Sequence, residues 1–194
     1  IVINNHSYKE IIDMTADKYY EYLRDTNNSF PTTSQPAIGE VVACLEKLKE
    51  EGYTDVIAIA LSSGISGACS SYTVAGLMVD GINVHPFDSE VSCKPEGWYA
   101  IKAANLIKEG KNSNQIISAL NEMKKVSKAY FMADDLSHLQ RGGRLSGAQA
   151  LVGSLLQVKP LLHFEDKIIV PFQKIRTYKK VVLRMYELFD EFYQ

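Results

Sequence analysis

The chain has 194 residues, 46% apolar and 23% charged, with a formal net charge of −2, the balance of a globular protein of one large or two small domains. No run of about 18 apolar residues is present, so no transmembrane helix is expected, and no secretory leader pattern is visible at the start. Cys44, Cys69 and Cys93, an odd set without a Cys-x-x-Cys pair, argue against a disulfide framework and a zinc knuckle, and we expect a cytoplasmic protein without a membrane span, for which only transient membrane contact remains open.

In chain order, the strand-like Ile1-Val2-Ile3 comes first. A short helix over 15–25 follows, with Thr15 as its N-cap. A polar stretch leads to Thr32-Thr33-Ser34-Gln35-Pro36, then to a helix over 37–51 stopped by Gly52. The continuous apolar run Val56 to Leu61 suits a strand covered on both faces, as in a parallel sheet. Leu61-Ser62-Ser63-Gly64-Ile65-Ser66-Gly67 joins it to a helix over 67–79. A second strand over 82–87 ends at Asp88-Ser89, a helix over 97–109 closes at Gly110, and Asn114 caps a helix over 115–125. Residues 128–133 read as a third strand. Strands alternating with helices at this spacing predict an α/β domain with a parallel sheet over 1–133, whose ligands bind beyond the carboxyl ends of the strands.

From 134 the character changes. A helix over 134–140 runs into Arg141-Gly142-Gly143-Arg144, and a helix over 147–157 is apolar nearly all round. Residues 159–164 and 167–170 flank a turn at Glu165-Asp166 and predict a hairpin. A helix over 177–193 follows. These elements suggest the start of a smaller α+β domain over 134–194. Because the chain opens on Ile1 and runs to Gln194 inside a helical pattern, it is expected to be incomplete at both ends.

Charge is uneven along the chain. From Arg141 to Arg184 nine basic residues face two acidic ones, while the rest is acidic in balance. That suits an anionic ligand or an acidic partner surface, or simply a solvated basic face. The acidic remainder argues against nucleic acid.

Three motifs carry candidate chemistry. Ser62, Ser63, Ser66 and Gly67 lie between a buried strand and a helix N-terminus, where backbone N–H groups and the helix dipole favour an anion. The alternative is a strand–helix turn with a serine cap. Thr33 and Ser34 precede a helix that one of them could cap, yet three consecutive hydroxyls exceed what one cap needs. Arg144 and Arg176 are candidates for a bidentate grip on a carboxylate or phosphate, with a glycine C-cap and solvated arginines as the alternative. The loop is neither GxGxxG nor GxxxxGK[ST], so a nucleotide fingerprint is absent. The four histidines lack ligand spacing, and only His138, next to the glycine pair, is a candidate to approach an anion. No nucleophile–base pair is recognisable. No catalytic residue, metal site or cofactor is expected.

Taken together, the motifs resemble the DegV family, the fatty-acid-binding proteins of bacteria, over nearly the whole chain. The likeness rests on Thr33-Ser34-Gln35-Pro36 with Gly39-Glu40, on Ser62 to Gly67, and on Asp88-Ser89. It rests also on Leu139-Gln140-Arg141-Gly142-Gly143-Arg144-Leu145-Ser146, Lys159-Pro160 and Lys174-Ile175-Arg176. The resemblance implies a three-layer parallel-sheet domain followed by a smaller α+β domain, enclosing one long-chain fatty acid. The acyl chain would run into an apolar tunnel. Its carboxylate would be held near the domain junction by hydroxyls matching Thr33 or Ser34 and Ser63 or Ser66. By the same resemblance, a separate fatty acid kinase catalytic subunit phosphorylates the carboxylate to an acyl phosphate, within phospholipid metabolism. Arg144 and Arg176 are then implied in docking or phosphoryl transfer. The family's usual earlier strand with an Asp-Ser pair and its later histidine do not occur here, and Thr177 stands where glycine is common. The leading expectation is a carrier and not an enzyme; the alternative is a small-molecule kinase or phosphotransferase fragment using the same loops.

Overall fold

The computed structural model describes residues 1–25, 27–145 and 159–193. The helix expected over 147–157, and Ser146 of the arginine motif, lie outside the described residues. The chain divides into two compact units, Ile1–Gln35 and Pro36–Gln194.

In the first unit, β1 (Val2–Ile3) and β2 (His6–Ser7) pair antiparallel. Asn4 and Asn5 turn the chain between them at φ 50° and 62°, a left-handed conformation that asparagine tolerates better than most residues. Val2 and Thr32 exchange backbone hydrogen bonds at 2.7 and 2.9 Å. Helix α1 (Ala16–Arg24) is capped by Thr15, whose hydroxyl accepts from the Lys18 N–H.

In the second unit, α2 (Ile38–Glu50), β3 (Asp55–Ala60), α3 (Ala68–Leu77), β4 (Asn83–Asp88), α4 (Cys93–Lys108) and α5 (Ser113–Val126) follow in order. β3 and β4 are parallel and in register from Asp55↔Asn83 to Ala60↔Asp88. Val56 and Val84 pack with Leu45, Ala75 and Val79 on the α2–α3 side. Ile57, Ile59 and Phe87 pack with Tyr99, Leu106, Ile116 and Leu120 on the α4–α5 side. Successive strand residues point to opposite faces, so helices cover the pair on both faces, and the three-layer α/β architecture follows.

The starts of α4 and α5 differ from the sequence reading. α4 begins at Cys93, four residues early, because Pro95 in the first turn needs no hydrogen-bond acceptor. α5 is capped by Asn112 and not Asn114. The Asn112 side chain accepts from the Gln115 N–H while the Gln115 side chain accepts from the Asn112 N–H, a capping box that secures two otherwise orphaned donors.

β5 (Tyr130–Met132), read from the sequence as a third parallel strand, instead pairs antiparallel with β6 (Lys159–Glu165). A three-residue apolar run carries no information about its partner. Between them lies α6 (Ser137–Arg141), which starts later than expected: its N-cap is Leu136, and Asp135 just before it accepts from the Ser137 N–H at 2.8 Å. β6 pairs with β7 (Ile168–Ile175) around a turn in which Asp166 and Lys167 take φ 47° and 71°. β7 runs five residues past the expected end at Val170. Pro171 is accommodated at an edge strand, beside the register shift between Leu161 and Leu162. Leu161 packs with Ile175, Val181 and Leu188, bringing α7 (Tyr178–Tyr193) onto one face of this sheet. Leu162 packs with Leu136, Leu145 and Ile169 on the other.

Candidate functional site

The serine loop leaves the carboxyl end of β3 and is held on all sides. Ser62 is fully buried. Its N–H donates to the Val91 carbonyl at 2.7 Å and its hydroxyl to the Lys167 carbonyl at 2.6 Å. The Ile65 and Ser66 N–H groups both turn back to the Ser62 carbonyl at 3.1 Å. A Cβ on Gly64 would run into the Lys167 carbonyl, so glycine is required for the β6–β7 turn to come this close.

Ser63 is exposed and faces β4. Its N–H and hydroxyl donate to the two oxygens of Asp88, at 3.1 and 2.5 Å. Lys167 places its ammonium 3.0 Å from the same carboxylate. Burial would raise the Asp88 carboxyl, but the bonds from Ser63 and Lys167 outweigh it and hold the group below its ordinary range. The bond to Asp88 in turn pushes the Lys167 ammonium up. Lys124 completes the cluster, donating to the Asp88 carbonyl at 2.9 Å and to Glu90 at 3.1 Å. Lys167 is the residue that sequence reasoning missed. The turn at Glu165-Asp166 was legible, but nothing in it signals contact with a loop 105 residues earlier.

Ser66 differs from its neighbours. Its hydroxyl accepts from the Ala68 N–H at 3.2 Å, and its own hydrogen meets no acceptor among the described residues. A serine hydroxyl has one hydrogen to give. Ser62 and Ser63 have committed theirs, and Ser66 has not. Gly67, next in the chain, is the N-cap of α3 and offers no side chain to it.

Arg144 does not stand free in solvent. Its Nε donates to the Ile65 carbonyl at 3.1 Å and its Nη1 to the Gly142 carbonyl at 2.6 Å, binding the turn after α6 to the serine loop. Gly143 closes that helix at φ 74°, as the motif suggested. Arg176, just past β7, is exposed and makes no hydrogen bond or ion pair among the described residues. His138 is exposed on α6. In the first unit, Thr33 and Ser34 are exposed, and their hydroxyls find no partner among the described residues. The N-cap of α2 is Ala37, without a side-chain bond, so neither of them caps that helix. No group of three or more potential metal ligands converges among the described residues.

Beside the serine loop is an apolar cavity of about 250 Å³. Ile65 of the loop, Cys93 of α4, Phe131 of β5, Leu139 of α6, Phe164 of β6 and Ile169 of β7 line it. Phe131 and Phe164 meet at 5.7 Å between ring centres. The second sheet thus contributes a greasy wall next to the polar loop of the first.

The family model described as "Uncharacterised protein, DegV family" matches residues 1–194. The chain belongs to the DegV family. Protein DegV of Bacillus subtilis is 57% identical over 192 residues, covering 98% of this chain and 68% of its own length. A DegV domain-containing protein of Listeria innocua is 50% identical over 190 residues, covering 98% of this chain and 67% of its own. The crystal structure of DegV, a fatty acid binding protein from B. subtilis, superposes with a TM-score of 0.89 over 98% of this chain and 67% of that one. That of a fatty acid binding DegV family protein from Streptococcus agalactiae also gives 0.89, at 31% identity over 98% of this chain and 68% of that one. The DegV fold is therefore that of this chain, which spans about two thirds of the length of these relatives. No helix among the described residues is long and apolar enough to cross a membrane.

Proposed function

We propose that this DegV protein binds a long-chain fatty acid, with the acyl tail in the apolar cavity and the carboxylate at the serine loop. The observation that carries the reading is the apolar cavity lined by Ile65, one residue before the hydroxyl of Ser66, which keeps a hydrogen to donate. Each buried methylene contributes roughly 0.8 kcal/mol. A carboxylate held by neutral hydroxyls and backbone N–H groups needs no buried counter-charge. Ser66 is the first donor. Ser63, its hydrogen given to Asp88, enters as the alternative donor to Ser66 on the family resemblance. Thr33 and Ser34 enter the proposal as further donors on the family resemblance alone.

The protein is further proposed to be a cytoplasmic carrier that presents the acid to a separate kinase subunit. There a carboxylate oxygen attacks the γ-phosphorus of ATP held by the kinase, ADP leaves, and an acyl phosphate forms. Arg144 and Arg176 are assigned to docking or to stabilising the transferred phosphoryl group. Native mass spectrometry of protein purified from bacteria is expected to show a co-purified acyl chain, and added fatty acid should raise the melting temperature of delipidated protein. Absence of both effects would overturn the reading. ATP binding by the isolated protein would favour a phosphotransferase instead.

A further inference from the structure

The serine loop carries no charge of its own, since Leu61 to Gly67 are apolar residues, serines and glycines. The charge bonded to it is an acid. The Asp88 side chain is 15% exposed and takes both the N–H and the hydroxyl of Ser63. An anionic headgroup at this loop would meet a like charge one hydroxyl away, and like charges disfavour the ionised form.

Lys167 answers that charge. Its ammonium lies 3.0 Å from Asp88 and 3.9 Å from Glu90. Lys124 is engaged elsewhere: its ammonium sits 4.9 Å from the centre of the Phe87 ring and bonds to Glu90 and to the Asp88 carbonyl. Among the described residues, the cation that reaches the Asp88 carboxylate is therefore Lys167. The same residue gives its carbonyl to the Ser62 hydroxyl, and its backbone is left-handed at φ 71°. Carbonyl and ammonium of one residue thus hold the loop and its acid together.

The reach of these charges is the second observation. Cys69 stands in the first turn of α3, past Ser66 and Gly67 in the chain. Burial pushes its thiol up, the field of Asp88 raises it further, and the fields of Lys167 and Lys124 lower it. Asp88 and Lys167 are felt with opposite signs at the far end of the loop. A headgroup at Ser66, between Ser63 and Cys69 in the chain, is subject to both.

We propose that Lys167 determines specificity for an ionised headgroup, acting through Asp88 as a positioning residue and not by touching the ligand. The inference rests on the fatty-acid reading above. With the ammonium in place, the charge of Asp88 is balanced and the Ser66 hydroxyl can receive a carboxylate. Without it, the uncompensated acid favours an uncharged headgroup on the same tail.

The test is a binding titration of the delipidated chain at neutral pH with palmitate and with hexadecanol, which share a tail length and differ in headgroup charge. Lys167→Met keeps the backbone carbonyl that anchors Ser62. It should lose about tenfold in palmitate affinity, a coupling typical of one charge network, and stay within about twofold for hexadecanol. Adding Asp88→Asn to Lys167→Met removes the uncompensated acid and should restore palmitate binding, as should Lys167→Arg in place of Lys167→Met. A merely structural role would weaken both ligands alike and would not be reversed by loss of the acid. Equal losses for the two ligands, unchanged palmitate affinity in Lys167→Met, or no recovery in the double variant would overturn the inference while the fatty-acid reading stands. No palmitate binding by the parent would overturn that reading and this inference with it.

Discussion

Ser62 gives its hydroxyl hydrogen to the backbone carbonyl of Lys167, 105 residues further along the chain, at 2.6 Å. The bond is buried at its serine end and ties the loop after β3 to the turn between β6 and β7. The loop's shape is therefore a property of two sheets.

Removing the Ser62 hydroxyl should thus be a stability change. Ser62→Ala leaves the Lys167 carbonyl short of its donor, at a cost of about 1–3 kcal/mol. Ser66→Ala loses only the acceptor of the Ala68 N–H, should cost about 0.5–1.5 kcal/mol, and should weaken fatty-acid affinity by a factor of about 10, the value of a hydrogen bond to a charged group. Thermal melts and a binding titration of both variants separate the two. The reverse pattern would reassign the headgroup donor.

At Gly64 the same contact forbids a side chain. Gly64→Ala forces the Lys167 carbonyl away, and overpacking of this kind costs about 1–3 kcal/mol. A denaturant midpoint equal to that of the parent would show that the β6–β7 turn does not press on the loop.

The Asp88 carboxyl lies below its ordinary value, so its contribution to stability is complete above the unfolded value near 3.9 and is lost as pH falls through the folded one. Stability of the parent should therefore fall more steeply below about pH 4 than that of Asp88→Asn. Lys167→Met, which keeps the backbone carbonyl, should move the loss toward higher pH. Superimposable acid limbs in all three proteins would count against the cluster.

Asn112→Ala should cost about 1 kcal/mol by removing the cap of α5, while Asn114→Ala, inside the first turn, should be close to neutral. Helicity and melting temperature of the two variants check the pair.

Much of this was legible in the sequence. The apolar run from Val56 to Leu61 announced a strand covered on both faces, and the serine loop and Asp88 fell at strand ends as such a sheet requires. The hairpin turn at Glu165-Asp166 was equally plain. What stayed hidden depends on distant partners. Tyr130–Met132 reads the same whether it pairs parallel or antiparallel. Pro171 looks like a strand end until β7 is known to be an edge. The apolar cavity draws Ile65, Phe131 and Ile169 from three separate stretches, and Lys167 meets Asp88 only once the second sheet is in place. Each alternation was readable, but its opposite wall was not.

The long reach from Ser62 to Lys167 also sets a clock on biosynthesis. A ribosome adding about 5–20 residues per second needs about 5–20 s to travel between those codons. Throughout that interval the nascent loop lacks the carbonyl that later anchors it, so the loop takes its final shape only late in the synthesis of this chain.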